Sequence, residues 1–237
     1  MLEQFKLDLK LHKNSFAYVL LAEGFSLIVG FLLLLLILSW DEEDTWFCVG
    51  TVMAMTIGII ITVLFGALSY STEFQLALAM GRTRCAFMVS YILRSVLTML
   101  VGYIMLLACY RLEMTVYPLL FPGMENEQEF FFLTDWRFVL PTVLGLPVIG
   151  MFIGSLHAAF GKKGLWAFYV VWLFGCFILP RVFAEHAGTG LLDQAAFGVR
   201  RFALAVPTAG WIAIVSAAVI GMTATTVILG KKQTVRL

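Results

Sequence analysis

Charge is scarce in this chain: Asp, Glu, Lys and Arg together make up 13% of its 237 residues. The basic residues form no patch interleaved with aromatics, so nucleic acid is excluded as an expected partner. Histidine is nearly absent: His12, His157 and His186 lie far apart, and no metal-ligand spacing connects them. The four cysteines, Cys48, Cys85, Cys109 and Cys176, show no C-x-x-C spacing, which removes zinc and dithiol redox chemistry. Cys48 and Cys109 fall near one end of the expected spans. A disulfide between them is one reading, and two small buried apolar residues is the favoured one. No Walker A pattern, G-x-S-x-G or H-E-x-x-H occurs, so the chain carries no ATPase or hydrolase motif of its own.

What is present is apolar. Hydrophobic residues reach 61%, with 21 Phe, and the mean hydropathy is +0.95. Such a composition is that of a polytopic membrane protein. The expected fold is all-α, a single transmembrane domain over 1–237, with six spans near 16–39, 46–69, 86–109, 138–160, 165–183 and 208–229. Each is long enough for the hydrocarbon thickness. Residues 1–15 satisfy both a helical and an alternating pattern. An interfacial helix is preferred, because a lone strand at a membrane surface leaves its backbone unpaired. Its apolar continuation is long and lacks a small-residue cleavage site, so no cleaved signal peptide is expected.

Charge placement predicts orientation. Lys6, Lys10, Lys13, Arg82, Arg84, Lys162, Lys163, Lys231, Lys232 and Arg236 collect on one side of this topology. The other side holds Arg111, Arg137, Arg181, Arg200 and Arg201 together with most of the acids. The positive-inside rule then puts both termini in the cytoplasm. The outer segment 111–137 reads as an acidic loop broken by Pro118 and Pro122. Residues 184–207 are too apolar for a loop and too polar to span, and are expected to form a re-entrant or surface helix pair. In span four, Gly150-x-x-x-Gly154 offers a close-packing face, and His157 reads as a helix-packing residue.

Two constellations carry functional interest. Glu23 and Arg94 are charges inside expected spans, at similar depth from the same side. They read either as a structural ion pair or as a cavity-lining pair. The second is the stretch Ser71 to Arg84, expected to form a short separate helix over 72–81. Thr72 and Gln75 fit a capping box, and Gly81 suits a C-terminal residue at positive φ. Arg82 and Arg84 place positive charge beyond its end. Phe74, Ala77, Leu78 and Gly81 form a narrow apolar stripe suited to a protein groove.

Tyr70-Ser71-Thr72-Glu73-Phe74 through Ala77-Leu78-Ala79-Met80-Gly81-Arg82-Thr83-Arg84, leading into Phe87, resembles the segment after the second span of ABC-2 type transporter permeases. The resemblance implies that this helix is a coupling helix docking in a cleft of a separate ATPase subunit. Glu73, Phe74, Leu78, Gly81, Arg82 and Arg84 would make that contact. It further implies a dimer, with itself or with a sister permease, working with two copies of the ATPase in a plasma membrane of bacterial type. ATP and Mg would be bound by the partner, and this chain would hold no cofactor or metal and catalyse nothing. The implied function is export of a hydrophobic or amphipathic substrate, a peptide or a drug-like molecule, as in the phenol-soluble-modulin and antimicrobial-peptide exporters. Two rival readings stand beside it. One is a membrane interaction or assembly protein docking a cytoplasmic partner. The other is an ion-coupled secondary transporter, for which six spans without repeats give little machinery.

Overall fold

The structure is a computed structural model that describes residues 13–40, 45–126, 130–166, 168–170, 172–173 and 205–232. Five helices among these are long and apolar enough to cross a membrane. They are α1 (Lys13–Trp40), α2 (Val49–Ala79), α3 (Arg84–Leu120), α4 (Trp136–Phe160) and α5 (Thr208–Lys232). Between them lie a two-residue parallel pairing of Thr45–Trp46 with Glu125–Asn126 and a 3-10 turn, Phe131–Thr134. The expected all-helical, membrane-spanning architecture holds at this level. Residues 162–166, 168–170 and 172–173 are helical, but the rest of the fifth expected span, the interfacial stretch 1–12 and most of 184–207 lie outside the described residues.

The chain divides into two units, one ending at Met151 and one beginning at Phe152. In the first, α1 packs on both α2 and α3, and α2 packs along α3. Two glycines set how close α1 and α2 come. A Cβ on Gly30 would stand 2.2 Å from the Gly50 Cα, so only glycine permits the crossing. Farther along, a Cβ on Gly150 of α4 would lie 2.8 Å from the Thr62 carbonyl oxygen, which accords with the close-packing role expected of Gly150. Leu34, Trp46, Met99, Tyr103, Tyr110, Tyr117 and Leu133 are buried in one core cluster. The Tyr103 hydroxyl donates to the Leu133 carbonyl at 2.7 Å and ties the 3-10 turn to α3.

In the second unit, Ser155 and Thr226 are both fully buried, with their hydroxyls 3.5 Å apart. The His157 Nδ1 lies 3.1 Å from the Gly161 carbonyl oxygen and so closes the end of α4. That is a helix-end role, in keeping with the packing reading.

Two boundaries differ from the sequence reading. The short helix expected over 72–81 is not separate: α2 runs unbroken from Val49 to Ala79, with a π-helical turn at Ile61–Phe65. Thr72 therefore caps nothing. Its hydroxyl donates backward to the Leu68 carbonyl at 3.2 Å, as a mid-helix threonine does. The extension is held by packing: Tyr70, Phe74 and Ala77 are buried against Phe87 and Tyr91 of α3, which rewards a continuous helix. The second difference is at the other end of α3, which continues to Leu120 through Pro118. Arg111, Glu113 and Tyr117 are thus helical residues and not part of an acidic loop. The reason lies in what Glu113 does.

Candidate functional site: the α1–α2–α3 cavities and the α2–α3 turn

Glu113 is fully buried and accepts four hydrogen bonds. Oε1 takes the Gly50 N–H at 2.9 Å and the Tyr117 hydroxyl at 2.5 Å. Oε2 takes the Thr51 N–H at 2.8 Å and the Thr51 hydroxyl at 2.6 Å. Gly50 and Thr51 occupy the first turn of α2, where backbone N–H groups have no partner within the helix. A carboxylate from α3 therefore caps α2 from outside, facing the positive end of its dipole. Cys48 precedes that turn, and its side chain makes no capping bond. Cys48 and Cys109 are both buried and both free, in line with the favoured reading.

At the opposite end of the same helix pair, α2 stops in a Schellman arrangement. The Arg82 N–H donates to the Ala77 carbonyl at 2.9 Å and the Gly81 N–H to the Leu78 carbonyl at 3.0 Å. Gly81 has φ +75°, the left-handed conformation expected of it. Thr83 then opens α3, its hydroxyl accepting the Ala86 N–H at 3.4 Å. The turn between two membrane-length helices is thus only Met80 to Thr83.

The structure separates the expected contact residues. Phe74 is 1% exposed and packs among Tyr70, Phe87 and Tyr91, with ring centroids 5.0–5.7 Å apart within this cluster. Ala77 is buried beside them and Leu78 is half-buried against the same cluster. The apolar stripe expected to face a partner groove is therefore spent inside the chain. The reason is the unbroken helix: it lies along α3, which supplies Phe87 and Tyr91 to cover the stripe. Arg82 is half-buried, and its Nη2 donates to the Ser90 hydroxyl at 3.3 Å. Arg84 is half-buried at the first position of α3. The outward face of the α2 end is instead Thr72, Gln75, Leu76, Ala79 and Met80, with Leu76 57% and Met80 65% exposed.

Glu23 and Arg94 do not pair. Arg94 Nη2 lies 2.6 Å from Glu73 Oε2, and its guanidinium sits 5.0 Å from the centroid of the Tyr91 ring. Depth from the membrane edge is an axial coordinate only. It carries no information on which face of a helix a side chain leaves from, and Glu73 came within reach once α2 proved continuous. Glu23 is 3% exposed, and its Oε2 has no hydrogen-bond partner among the described residues.

Both charges border cavities within the first unit. A cavity of about 550 Å³ is lined by residues including Tyr18, Phe65, Ser69, Glu73, Tyr91 and Arg94. A second, of about 330 Å³, is lined by Glu23 together with Ala54, Met55, Met99, Tyr103 and Phe138, among others. Val19, Ile61, Thr62 and Thr98 belong to the walls of both. The π-helical turn Ile61–Phe65 supplies two of these shared residues, and such turns recur at functional sites in helices. Each of Glu23 and Arg94 lines a cavity, though not the same one, and the cap by Glu113 was not foreseen. The signal for the cap was available in the i, i+4 pair Glu113 and Tyr117, once helix was allowed past residue 109. No group of three or more metal-ligating side chains occurs among the described residues. Compared with known proteins, the chain matches no family model, no curated protein and no solved structure.

Proposed function

We propose that this chain is the membrane-spanning permease subunit of an ATP-driven exporter, with six spans, both termini cytoplasmic, and a separate ATPase docking at the α2–α3 turn. The observation that carries the reading is the closed, rigid turn itself. Two membrane-length helices meet through a Schellman stop at Gly81 and a capped start at Thr83, and the last turn of α2 exposes Leu76 and Met80 beside Gln75. A partner pushing on such a corner moves two spans together and not a slack loop. Those two spans also wall both cavities, so the same push would reshape the space between them. The substrate class stays hydrophobic or amphipathic, moving outward, and the functional unit would contain a second permease copy.

The contact set is revised by burial. Gln75, Leu76, Ala79 and Met80 form the docking face, with Gly81, Arg82 and Arg84 at its border. Glu73 and Phe74 act inside the chain, as the anchor of Arg94 and as part of the aromatic cluster. A charge reversal at Glu73 would set two cations together and disturb the fold, so it does not test docking cleanly.

The test is recovery of the tagged full chain from gently solubilised native membranes, with mass spectrometry of what accompanies it. A stoichiometric ATPase carrying a Walker motif is expected with the unaltered chain. It should be lost in Leu76→Glu and Met80→Glu, which change exposed side chains and leave stability within roughly 0.5 kcal/mol. A chain recovered alone would overturn the reading. A stoichiometric partner without ATPase motifs would favour an interaction or assembly protein. Transport that persists without ATP and collapses with an ion gradient would favour a secondary transporter.

A further inference from the structure

The 330 Å³ cavity has one polar group left to satisfy. Three threonines face it, and all three hydroxyl protons are already committed. Thr98 donates to the Arg94 carbonyl at 3.0 Å and Thr142 to the Phe138 carbonyl at 2.7 Å. Thr62 points its hydroxyl at the Met99 sulfur, 3.1 Å away. The remaining walls are aliphatic, thioether and aromatic, and no Lys, Arg or His lines the cavity among the described residues. The nearest candidate cation in sequence-depth terms, Arg94, is held by Glu73 in the neighbouring cavity. Glu23 therefore lines an apolar space in which the described residues offer its carboxyl no free donor, and its Oε2 is buried without a partner among them.

Two glycines keep that carboxyl from being covered. A Cβ on Gly58 of α2 would stand 3.0 Å from Glu23 Oε1. On Gly102 of α3 it would press on the Val19 side chain at 3.1 Å and reach within 3.9 Å of the same oxygen. Two different helices thus withhold side chains at the one place where a methyl would begin to close over the acid. A buried acid kept for structure alone is normally wrapped in donors, as Glu113 is.

From this arrangement we infer that the cavity is a binding site for a small lipophilic amine, its ammonium on the Glu23 carboxylate and its hydrocarbon among Met55, Met99 and Phe138. A neutral hydroxyl would supply a hydrogen bond, but a cation supplies a charge-assisted one and also cancels a charge that an apolar medium does not tolerate alone. The rings of Tyr103 and Phe138 in the same wall tolerate a cation further, through the negative face of their π-systems. The volume lies at the small end of the range for small-molecule sites, about 300–1,000 Å³. The adjoining cavity shares four wall residues with it and is bordered by Glu73 and Arg94. The site belongs to one unit of one chain, so it holds whether or not an ATPase partners the protein.

The experiment uses the full chain in lipid nanodiscs and a diazirine-bearing octylamine, with the chain-matched alcohol and carboxylate probes beside it. Labelled residues are mapped by peptide mass spectrometry. The amine should label the cavity walls saturably, and the alcohol and the carboxylate should not. Glu23→Gln, nearly isosteric, should weaken amine labelling about tenfold or more, the equivalent of one charge-assisted hydrogen bond. Gly58→Ala keeps the acid and crowds its oxygen, so it should weaken labelling several-fold, and it decides the matter if the Gln variant does not fold. Equal labelling by amine and alcohol would overturn the inference. So would amine labelling that is unchanged in Glu23→Gln or, where that variant fails to fold, in Gly58→Ala.

Discussion

Glu113 and Glu23 are both buried acids on helices of the same unit, and they are treated in opposite ways. Glu113 has every acceptor position occupied: two backbone amides at the start of α2, the Thr51 hydroxyl and the Tyr117 hydroxyl. Glu23 has an unpartnered oxygen and borders an apolar cavity. The first is an architectural charge, fixed by donors that have no other use. The second is a charge that the fold shelters without satisfying. The comparison teaches that burial alone does not mark a functional acid in a membrane; the state of its donors does.

The largest expected effect lies on the satisfied side. Glu113→Ala strands two amides and two hydroxyls in the core, and removing one partner from such a network costs roughly 3–5 kcal/mol. Thermal unfolding in nanodiscs reads it, and a loss below about 1 kcal/mol would mean that water or lipid headgroups serve α2 as well as Glu113 does.

A smaller effect is expected at the Glu73–Arg94 pair, where the side chains are 23% and 10% exposed. Arg94→Met removes the guanidinium from beside Glu73 and should cost about 1–3 kcal/mol. Adding Glu73→Gln should return part of that loss, because the carboxylate that Arg94 neutralised is gone as well. A double-mutant cycle measures the return, and strict additivity would show that the two side chains do not interact. The smallest effect is at the turn. Gly81→Ala places a Cβ on a residue with φ +75° and should cost about 1 kcal/mol. Its unfolding midpoint should fall slightly while partner recovery stays intact, because the docking face lies on the turn of helix before it.

Much of the fold was legible because membrane spans are written in composition. The apolar runs near 16–39, 138–160 and 208–229 match α1, α4 and α5 within a few residues, and the hydrocarbon thickness leaves little freedom there. Gly81 was legible because only its backbone conformation was at stake. What failed was punctuation. Thr72 with Gln75 has the pattern of a capping box, yet the burial of Tyr70, Phe74 and Ala77 against α3 along one continuous helix outweighs it. Pro118 and the acids after residue 110 suggested a loop, but a helix can carry Glu113 when another helix start needs an anion. The pairing of Glu23 with Arg94 failed for a different reason: depth can be read from sequence, and azimuth around three packed helices cannot. The cavities are a product of that same packing: the two charges within spans pointed to lined space, and no residue pattern gave its walls.

The most direct measurement sets the two acids against each other in one experiment: the thermal midpoints of Glu113→Gln and Glu23→Gln, each in nanodiscs without added ligand. Glu113→Gln puts a donating amide among groups that all donate, and at about 1–3 kcal/mol its midpoint should fall by several degrees. Glu23→Gln removes an unsatisfied acid and disturbs no described hydrogen bond, so its midpoint should hold or rise. A fall in Glu23→Gln as large as that in Glu113→Gln would contradict the account, because Glu23 would then be a structural acid and its cavity merely a gap in the packing.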